Sequence, residues 1–176
     1  MPICRECRNL CLAPKPKVRR LGSGLDVISF YSYDELEPFL LTKHHPQGWL
    51  VYKILAEDTF AIIEKAEGNS FVIPVDDDSS GGYSHTAVLA KSLKRKGYRP
   101  LWGGLRARNR LSYSGQPLSF RLQNSREFRY NGPKGIEAVL VDDIVTTGLT
   151  LQEAHAVLQN NDVTVICAFV LADVDR

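Results

Sequence analysis

Apolar positions along the chain switch between two periods, and the switches mark the elements. Leu25 to Tyr33 mixes alternating, β-branched and aromatic residues and predicts a first strand or hairpin. Asp34 then offers an N-cap for a short helix through about Leu41. A second helix is predicted from Gln47 or Gly48 to Lys65, with Trp49, Val51, Tyr52, Leu55, Phe60, Ile62 and Ile63 as its apolar positions and Gly68-Asn69 closing it. Phe71-Val72-Ile73-Pro74-Val75 is a short apolar run bounded by turns, so it predicts a buried strand. A polar, glycine-bearing loop spans Asp76 to Gly82, and helical period returns from Ser84 to Lys96.

Tyr98 to Trp102 is a further candidate strand, and Gly103 to Pro117 reads as a long basic loop. Loops of that length inside a compact domain are usually functional or disordered. Leu118 to Asn124 suggests a short helix, and Glu127 to Tyr130 a strand ahead of the Asn131-Gly132-Pro133 turn. The last third is the clearest: a buried strand at Ile136 to Val141, a helix at Leu149 to Gln159 and a final strand at Val163 to Leu171. Strands alternating with helices predict an α/β fold with a central, mostly parallel sheet flanked by helices.

Composition separates residues 1–24 from the rest. They hold Cys4, Cys7 and Cys11, then Pro14, Pro16 and four cations, then Gly22 and Gly24. This predicts a Cys-containing basic appendage and linker, followed by one domain over 25–176. No apolar run approaches transmembrane length and the N-terminus has no apolar signal core, so a cytoplasmic location is expected. Cys4-x-x-Cys7 in such a chain suggests a metal or redox role before a disulfide. A closed zinc site takes four ligands. Cys4, Cys7 and Cys11 supply three, and His44 or His45 would have to supply the fourth. A tail with free thiols is the competing reading. Cys167 lies within an apolar run and reads as a core residue.

The net charge of +2 says little, but its distribution is informative. No acid stands between Asp78 and Glu127, while that span carries Lys91, Lys94, Arg95, Lys96, Arg99, Arg106, Arg108, Arg110, Arg121 and Arg126. Such segregation marks a surface that meets anions, whether small-molecule phosphates or nucleic acid, or else a solvated helix face at the lysines.

The segment with the most chemistry is Val139-Leu140-Val141-Asp142-Asp143-Ile144-Val145-Thr146-Thr147-Gly148-Leu149-Thr150. Its order is apolar strand, two acids, hydroxyl-rich turn with glycine, then amphipathic helix. Free N–H groups at a helix N-terminus attract anions. Gly148 lets the backbone approach a phosphate closely. Val145, Thr146, Thr147, Gly148, Leu149 and Thr150 therefore form a candidate monophosphate cradle. Two ionised carboxylates would repel that phosphate but would accept from vicinal hydroxyls. A 5-phosphorylated ribose satisfies both halves, with Asp142 and Asp143 as ribose acceptors.

The same twelve residues resemble the phosphoribosyl-pyrophosphate (PRPP) signature of the type I phosphoribosyltransferase fold. With the N-terminal cysteines, Gly82-Tyr83-Ser84-His85, Arg121-Leu122-Gln123-Asn124 and Phe128, the chain resembles the ComF family of competence-associated proteins. It departs from that family in lacking a second CxxC pair and in reading Ser112-Tyr113-Ser114-Gly115-Gln116 within the basic loop. The resemblance implies PRPP binding with Mg2+ near Asp142 and Asp143. It also implies a pyrophosphate loop at Asp76 to Gly82, with Asp76 and Asp77, and a covering loop at Gly103 to Gly115, with Arg106, Arg108 and Arg110 for the leaving pyrophosphate. Implied partners are single-stranded DNA and a DNA-import helicase, at the inner face of the membrane. Tyr98, Trp102 and Tyr113 are the candidate stacking residues for DNA. Two other functions fit the same loop: a salvage phosphoribosyltransferase acting on a nucleobase, and a PRPP-sensing regulator without turnover.

Overall fold

The computed structural model describes residues 3, 4, 6, 8, 12–66, 68–76, 82–109 and 124–174. Eight strands and four helices are labelled here in chain order. β1 is Lys17–Arg20 and β2 is Asp26–Ser32; α1 (Tyr33–Leu40) and a 3-10 turn (Leu41–His44) lead to α2 (Gly48–Thr59). β3 (Phe71–Pro74), α3 (His85–Leu93), β4 (Arg99–Pro100), β5 (Leu105–Ala107) and β6 (Phe128–Tyr130) follow, and β7 (Ile136–Val145), α4 (Leu149–Gln159) and β8 (Val163–Asp173) complete the order.

Six strands form one sheet in the order β1-β2-β8-β7-β3-β4. Only the β1–β2 pair is antiparallel, with Lys17 opposite Ser29. The neighbours β2–β8, β8–β7, β7–β3 and β3–β4 are all parallel. Parallel strands covered on both faces read as continuous apolar runs rather than alternating ones. That is why Ala138 to Val141 and Ala168 to Ala172 show no polar interruption.

Alternation instead sorts the side chains between two cores. Val139, Val141, Phe169 and Leu171 face α1, α2 and α3 through Leu36, Leu40, Tyr52, Leu55, Leu89 and Leu93. Ala138, Leu140, Ala168 and Val170 face α4 through Leu151, Ala154 and Leu158. Leu105 and Phe128 join the second core from β5 and β6, which pair with each other as a separate antiparallel ribbon. Residues of the segment before Leu25 contribute too. Ile3 and Leu12 are buried against the first core, and β1 extends the sheet.

Several boundaries differ from the sequence expectation, each for a physical reason. The cap of α1 is Ser32, not Asp34: its Oγ accepts from Glu35 N at 3.4 Å and Glu35 Oε2 accepts from Ser32 N at 3.2 Å. This reciprocal capping box satisfies two orphan donors at once. The second helix stops at Thr59 and tightens to a 3-10 turn through Ile62, short of Lys65. Tyr98–Trp102 yields only a two-residue strand, and part of the expected loop at 103–117 is the strand β5. β7 runs through the acid pair to Val145, because pairing with β8 continues as far as Asp173. Residues 118–123, where a helix was expected, lie outside the described residues.

Phe169 is the packing centre of the first core. Its ring lies 6.3 Å from those of Phe30 and Phe60 and 6.2 Å from that of Tyr98. Phe169→Ala is expected to cost about 3–5 kcal/mol. For a chain of this size that lowers the thermal midpoint by roughly 6–20 °C. A fall of under about 3 °C by circular dichroism would show that the cluster is not the centre of that face.

Candidate functional site

The site is built where β7 passes into α4. Thr146, Thr147 and Gly148 form the turn, and Gly148 takes the left-handed conformation at φ +79° as the helix cap. A Cβ there would stand 2.6 Å from Leu21 Cδ2, so both backbone conformation and space demand glycine. The first turn of α4 carries no acid. Asp142 and Val145 to Thr150 line one pocket, with Ile144, Leu151 and Glu153 at its margins. The structure thus brings all six residues of the expected phosphate cradle together with Asp142.

The turn is braced from β1. Arg19 Nη2 donates to the Thr146 carbonyl at 2.8 Å, and Arg19 Nη1 lies 3.0 Å from Asp173 Oδ1, a carboxylate buried at the end of β8. Nothing in sequence spacing pointed to Arg19, which sits 127 residues before its acceptor.

Asp143 is turned away from that pocket, as strand alternation requires of the neighbour of Asp142. It is buried among the helices of the first core. Lys43 Nζ, from the 3-10 turn before α2, lies 2.8 Å from Asp143 Oδ2. Tyr52, on α2, donates its hydroxyl to the same oxygen at 3.1 Å, and His85 Nε2, the first residue of α3, stands 3.6 Å away. The Tyr52 and His85 rings meet edge to face at 5.7 Å. None of these three partners was singled out from the sequence as a site residue. Their separations along the chain are set by helix placement alone.

The electrostatics of the acid pair are unequal. Burial alone would raise the pKa of Asp143, but His85, the Lys43 charge and the hydrogen bonds from Lys43 and Tyr52 hold it well below the usual carboxylate range. Asp142 goes the other way: burial, then the charge of Asp143, push it well above that range. The Asp143 amide donates to Asp142 Oδ1 at 2.8 Å and offsets part of this. Burial opposes the charge on Lys43, yet Asp143 raises its pKa, so the lysine remains an ammonium. Burial lowers the pKa of His85 against the pull of Asp143, and burial raises that of Tyr52, which remains a donor.

Among the described residues, His85, Asp142 and Asp143 form a set whose ligand atoms all lie within 4.8 Å of one another. Carboxylate oxygens are the hard donors that Mg2+ takes. Lys43 and Tyr52 already occupy Asp143 Oδ2, so Asp142 is the carboxylate open to the pocket. The donor set fits Mg2+ through Asp142.

The other expected site residues lie elsewhere. Asp76, with φ +49°, accepts from Ala107 N at 3.1 Å and pairs with Arg126 Nη1 at 3.2 Å, tying the end of β3 to the β5–β6 ribbon. Arg126 N donates to Glu153 Oε2 at 2.9 Å, which ties the ribbon to α4 as well. Arg106 and Arg108 are exposed on and just after β5. Cys4, His44 and His45 are exposed. Cys7, Cys11, Asp77 and Arg110 lie outside the described residues. Cys167 is half-buried in β8, and burial with Asp26 pushes its thiol up to about 11.

The site thus lies in a hydroxyl-rich strand-to-helix turn beside two acids, at the carboxyl end of a mostly parallel sheet in an α/β protein. The model of the phosphoribosyl transferase domain matches residues 80–176, more than half of the chain, and the chain belongs to that family. The fold is that of the type I phosphoribosyltransferases. Among solved structures it is similar to orotate phosphoribosyltransferase from Aeropyrum pernix, at 20% identity and TM-score 0.44, covering 96% of this chain and 80% of that one. It is also similar to adenine phosphoribosyltransferase from Saccharomyces cerevisiae, at 14% identity and TM-score 0.43, covering 98% and 90%. Hypoxanthine phosphoribosyl transferase of Trypanosoma cruzi is similar at 18% identity and TM-score 0.36, covering 80% and 76%. No curated protein matches the chain.

The unequal acids make opposite stability predictions. Asp143, with its folded pKa depressed, stabilises the fold above its unfolded pKa of about 3.9 and loses that contribution as pH falls further. Asp142, with its folded pKa raised, favours the fold below about pH 3.9 and loses this as pH rises toward the folded value. Asp143→Asn should therefore lower the melting temperature at pH 7, and Asp142→Asn should raise it. The Asp142→Asn difference should shrink as melting is followed down toward about pH 4, and the Asp143→Asn difference should persist to about pH 4 and shrink only below it. Equal effects of the two variants at pH 7 would contradict the assigned asymmetry.

Proposed function

We propose that the chain is a ComF-like protein that binds PRPP with Mg2+ and carries out phosphoribosyl (glycosyl) transfer in DNA uptake during natural transformation. The observation that supports this most directly is the single pocket lined by Asp142 and by Val145 to Thr150. The α4 N-terminus and the threonine hydroxyls receive the 5-phosphate. Asp142 accepts from the ribose hydroxyls, and Asp143, expected as a second acceptor, acts from behind it by setting the charge of the pair. Asp142 would hold Mg2+ on the protein side, and the ion would supply charge neutralisation for the leaving pyrophosphate. Arg106, Arg108 and Arg110 assist there, with Asp76 and Asp77 on the loop after β3. Residues 1–24 form the N-terminal appendage, Cys4, Cys7 and Cys11 being its candidate zinc ligands, and residues 25–176 form the phosphoribosyltransferase-like domain.

Calorimetric titration with PRPP, with and without Mg2+, tests the ligand class. Asp142→Asn with Asp143→Asn should weaken PRPP binding by about 10–100-fold, the loss expected for charge-assisted hydrogen bonds. Undiminished affinity would remove the acid pair from the ribose site. Pyrophosphate release across a panel of nucleobases distinguishes salvage from the DNA-uptake role. Base-dependent turnover would favour a metabolic enzyme, and binding without turnover a PRPP-sensing regulator. Unchanged transformation frequency after gene disruption in a competent host would exclude DNA uptake.

One surface favours a single-stranded DNA partner. Trp49 is 44% exposed on α2, in a groove with Lys53, Lys91, Lys94 and Arg95. Arg95 also meets Glu57 at 3.3 Å, so the lysines are its most available cations. Aromatic stacking with backbone neutralisation is how sequence-independent single-strand binding works. Of the aromatics expected from sequence, Trp102 is exposed, Tyr98 packs on Phe169, and Tyr113 lies outside the described residues. Location is cytoplasmic, at the inner membrane face beside a DNA-import helicase; no helix among the described residues is long and apolar enough to cross a membrane. Trp49→Ala should cost about 1–3 kcal/mol in oligonucleotide binding, read by fluorescence anisotropy. Lys91→Ala with Lys94→Ala should flatten the salt dependence. Wild-type affinity in both variants would clear this groove of any role in DNA contact.

A further inference from the structure

We propose that Arg19 is a positioning residue of the β7–α4 pocket: by holding the Thr146 carbonyl on the β1 side of the turn, it aims the Thr147 N–H into the pocket as a donor to a bound phosphate. This rests on the sugar-phosphate reading given above. It adds to that site a residue from the segment that composition set apart as an appendage and linker.

The peptide group is planar and trans, so the carbonyl of one residue and the N–H of the next point in opposite directions. Arg19 Nη2 donates to the Thr146 carbonyl at 2.8 Å. Thr146 and Thr147 line the pocket and Arg19 does not, which puts the guanidinium behind the turn. The Thr147 N–H therefore leaves the same peptide on the pocket side. It donates to no acceptor among the described residues, and neither does the Gly148 N–H. Backbone donors of a folded chain are seldom left without an acceptor, so a ligand oxygen is the natural partner for them.

Nothing local fixes that direction. β7 ends at Val145 and α4 begins at Leu149, so neither the sheet ladder nor the helix holds the peptide between Thr146 and Thr147. The direction is imposed from the β1 side at two points. Arg19 Nη1 lies 3.0 Å from Asp173 Oδ1, and that buried carboxylate fixes the guanidinium. A planar fork spans a carboxylate and a carbonyl at once, which the single ammonium of a lysine does not. Two residues on, Leu21 packs against Gly148, where a Cβ would stand 2.6 Å from Leu21 Cδ2.

A brace that only stabilises the fold makes a different forecast, because its loss would weaken the response of every amide at the pocket alike. Wild type, Arg19→Met and Arg19→Lys, each labelled with nitrogen-15, are titrated with ribose 5-phosphate and followed by amide NMR, with thermal melts alongside. In wild type the Thr147 amide proton should move strongly downfield on binding, as a charge-assisted hydrogen bond forms. At saturation of Arg19→Met that movement should be largely lost, while the amides of Gly148 and of the first turn of α4 keep theirs. Affinity should fall about 10-fold, as for one hydrogen bond to a charged group. Arg19→Lys should lie between the two.

Equal attenuation at all of these amides, or an undiminished Thr147 shift in folded Arg19→Met, would overturn the role of Arg19. If that variant unfolds, Arg19→Met with Asp173→Asn removes the buried charge that Arg19 offsets. The Thr147 shift should still be lost selectively in that background, and its persistence would overturn the role there too. Wild type that binds ribose 5-phosphate without moving the Thr147 amide would overturn the Arg19 role alone. Wild type that does not bind ribose 5-phosphate would overturn the sugar-phosphate reading with it.

Discussion

Two adjacent carboxylates on a central strand cannot both be ionised in a protein interior without a counter-charge close by. Everything near the β7–α4 junction follows from how that constraint is met. Asp143 keeps its charge because Lys43, Tyr52 and His85 converge on one of its oxygens. Asp142 then carries the cost, with a carboxyl pushed toward its neutral form. Through these contacts the 3-10 turn before α2, α2 itself and α3 are bound electrostatically to the site as well as packed on it.

The pocket has a second frame on its opposite side. Arg19 joins the carbonyl of Thr146 to the carboxylate of Asp173, linking the Thr146–Gly148 turn to the ends of β1 and β8. Arg126 joins Asp76 after β3 to Glu153 on α4 through its side chain and its amide. Each brace uses a charged group to satisfy a backbone or carboxylate group that burial would leave costly. A turn held in place in advance spends no binding energy on ordering when a ligand binds it.

Much of this was legible in the order of residues. Ile136 to Thr150 states strand, acids, turn and helix in sequence, and the observed α4 has the expected bounds of Leu149 and Gln159. The strand was read too short because acids usually end an apolar run, whereas backbone pairing with β8 carries β7 to Val145. The cap of α1 was misread because Ser32 and Asp34 are both good caps, and only the chain direction at the end of β2 favours Ser32. β5 went unseen because a three-residue strand has no period to detect, and its partner β6 lies across a long gap in sequence.

The sequence by itself determined the local chemistry: a glycine where φ must be positive, hydroxyls and amides at a helix start, two carboxylates beside them. These are contacts between residues a few positions apart, and local spacing encodes them. It could not determine which carboxylate would face the pocket and which would be neutralised from behind. That depends on Lys43, 100 residues from Asp143, and on the Tyr52 and His85 side chains that helix packing brings to it. Strand alternation separates Asp142 from Asp143, but only the tertiary structure supplies the charge that makes their chemistry different.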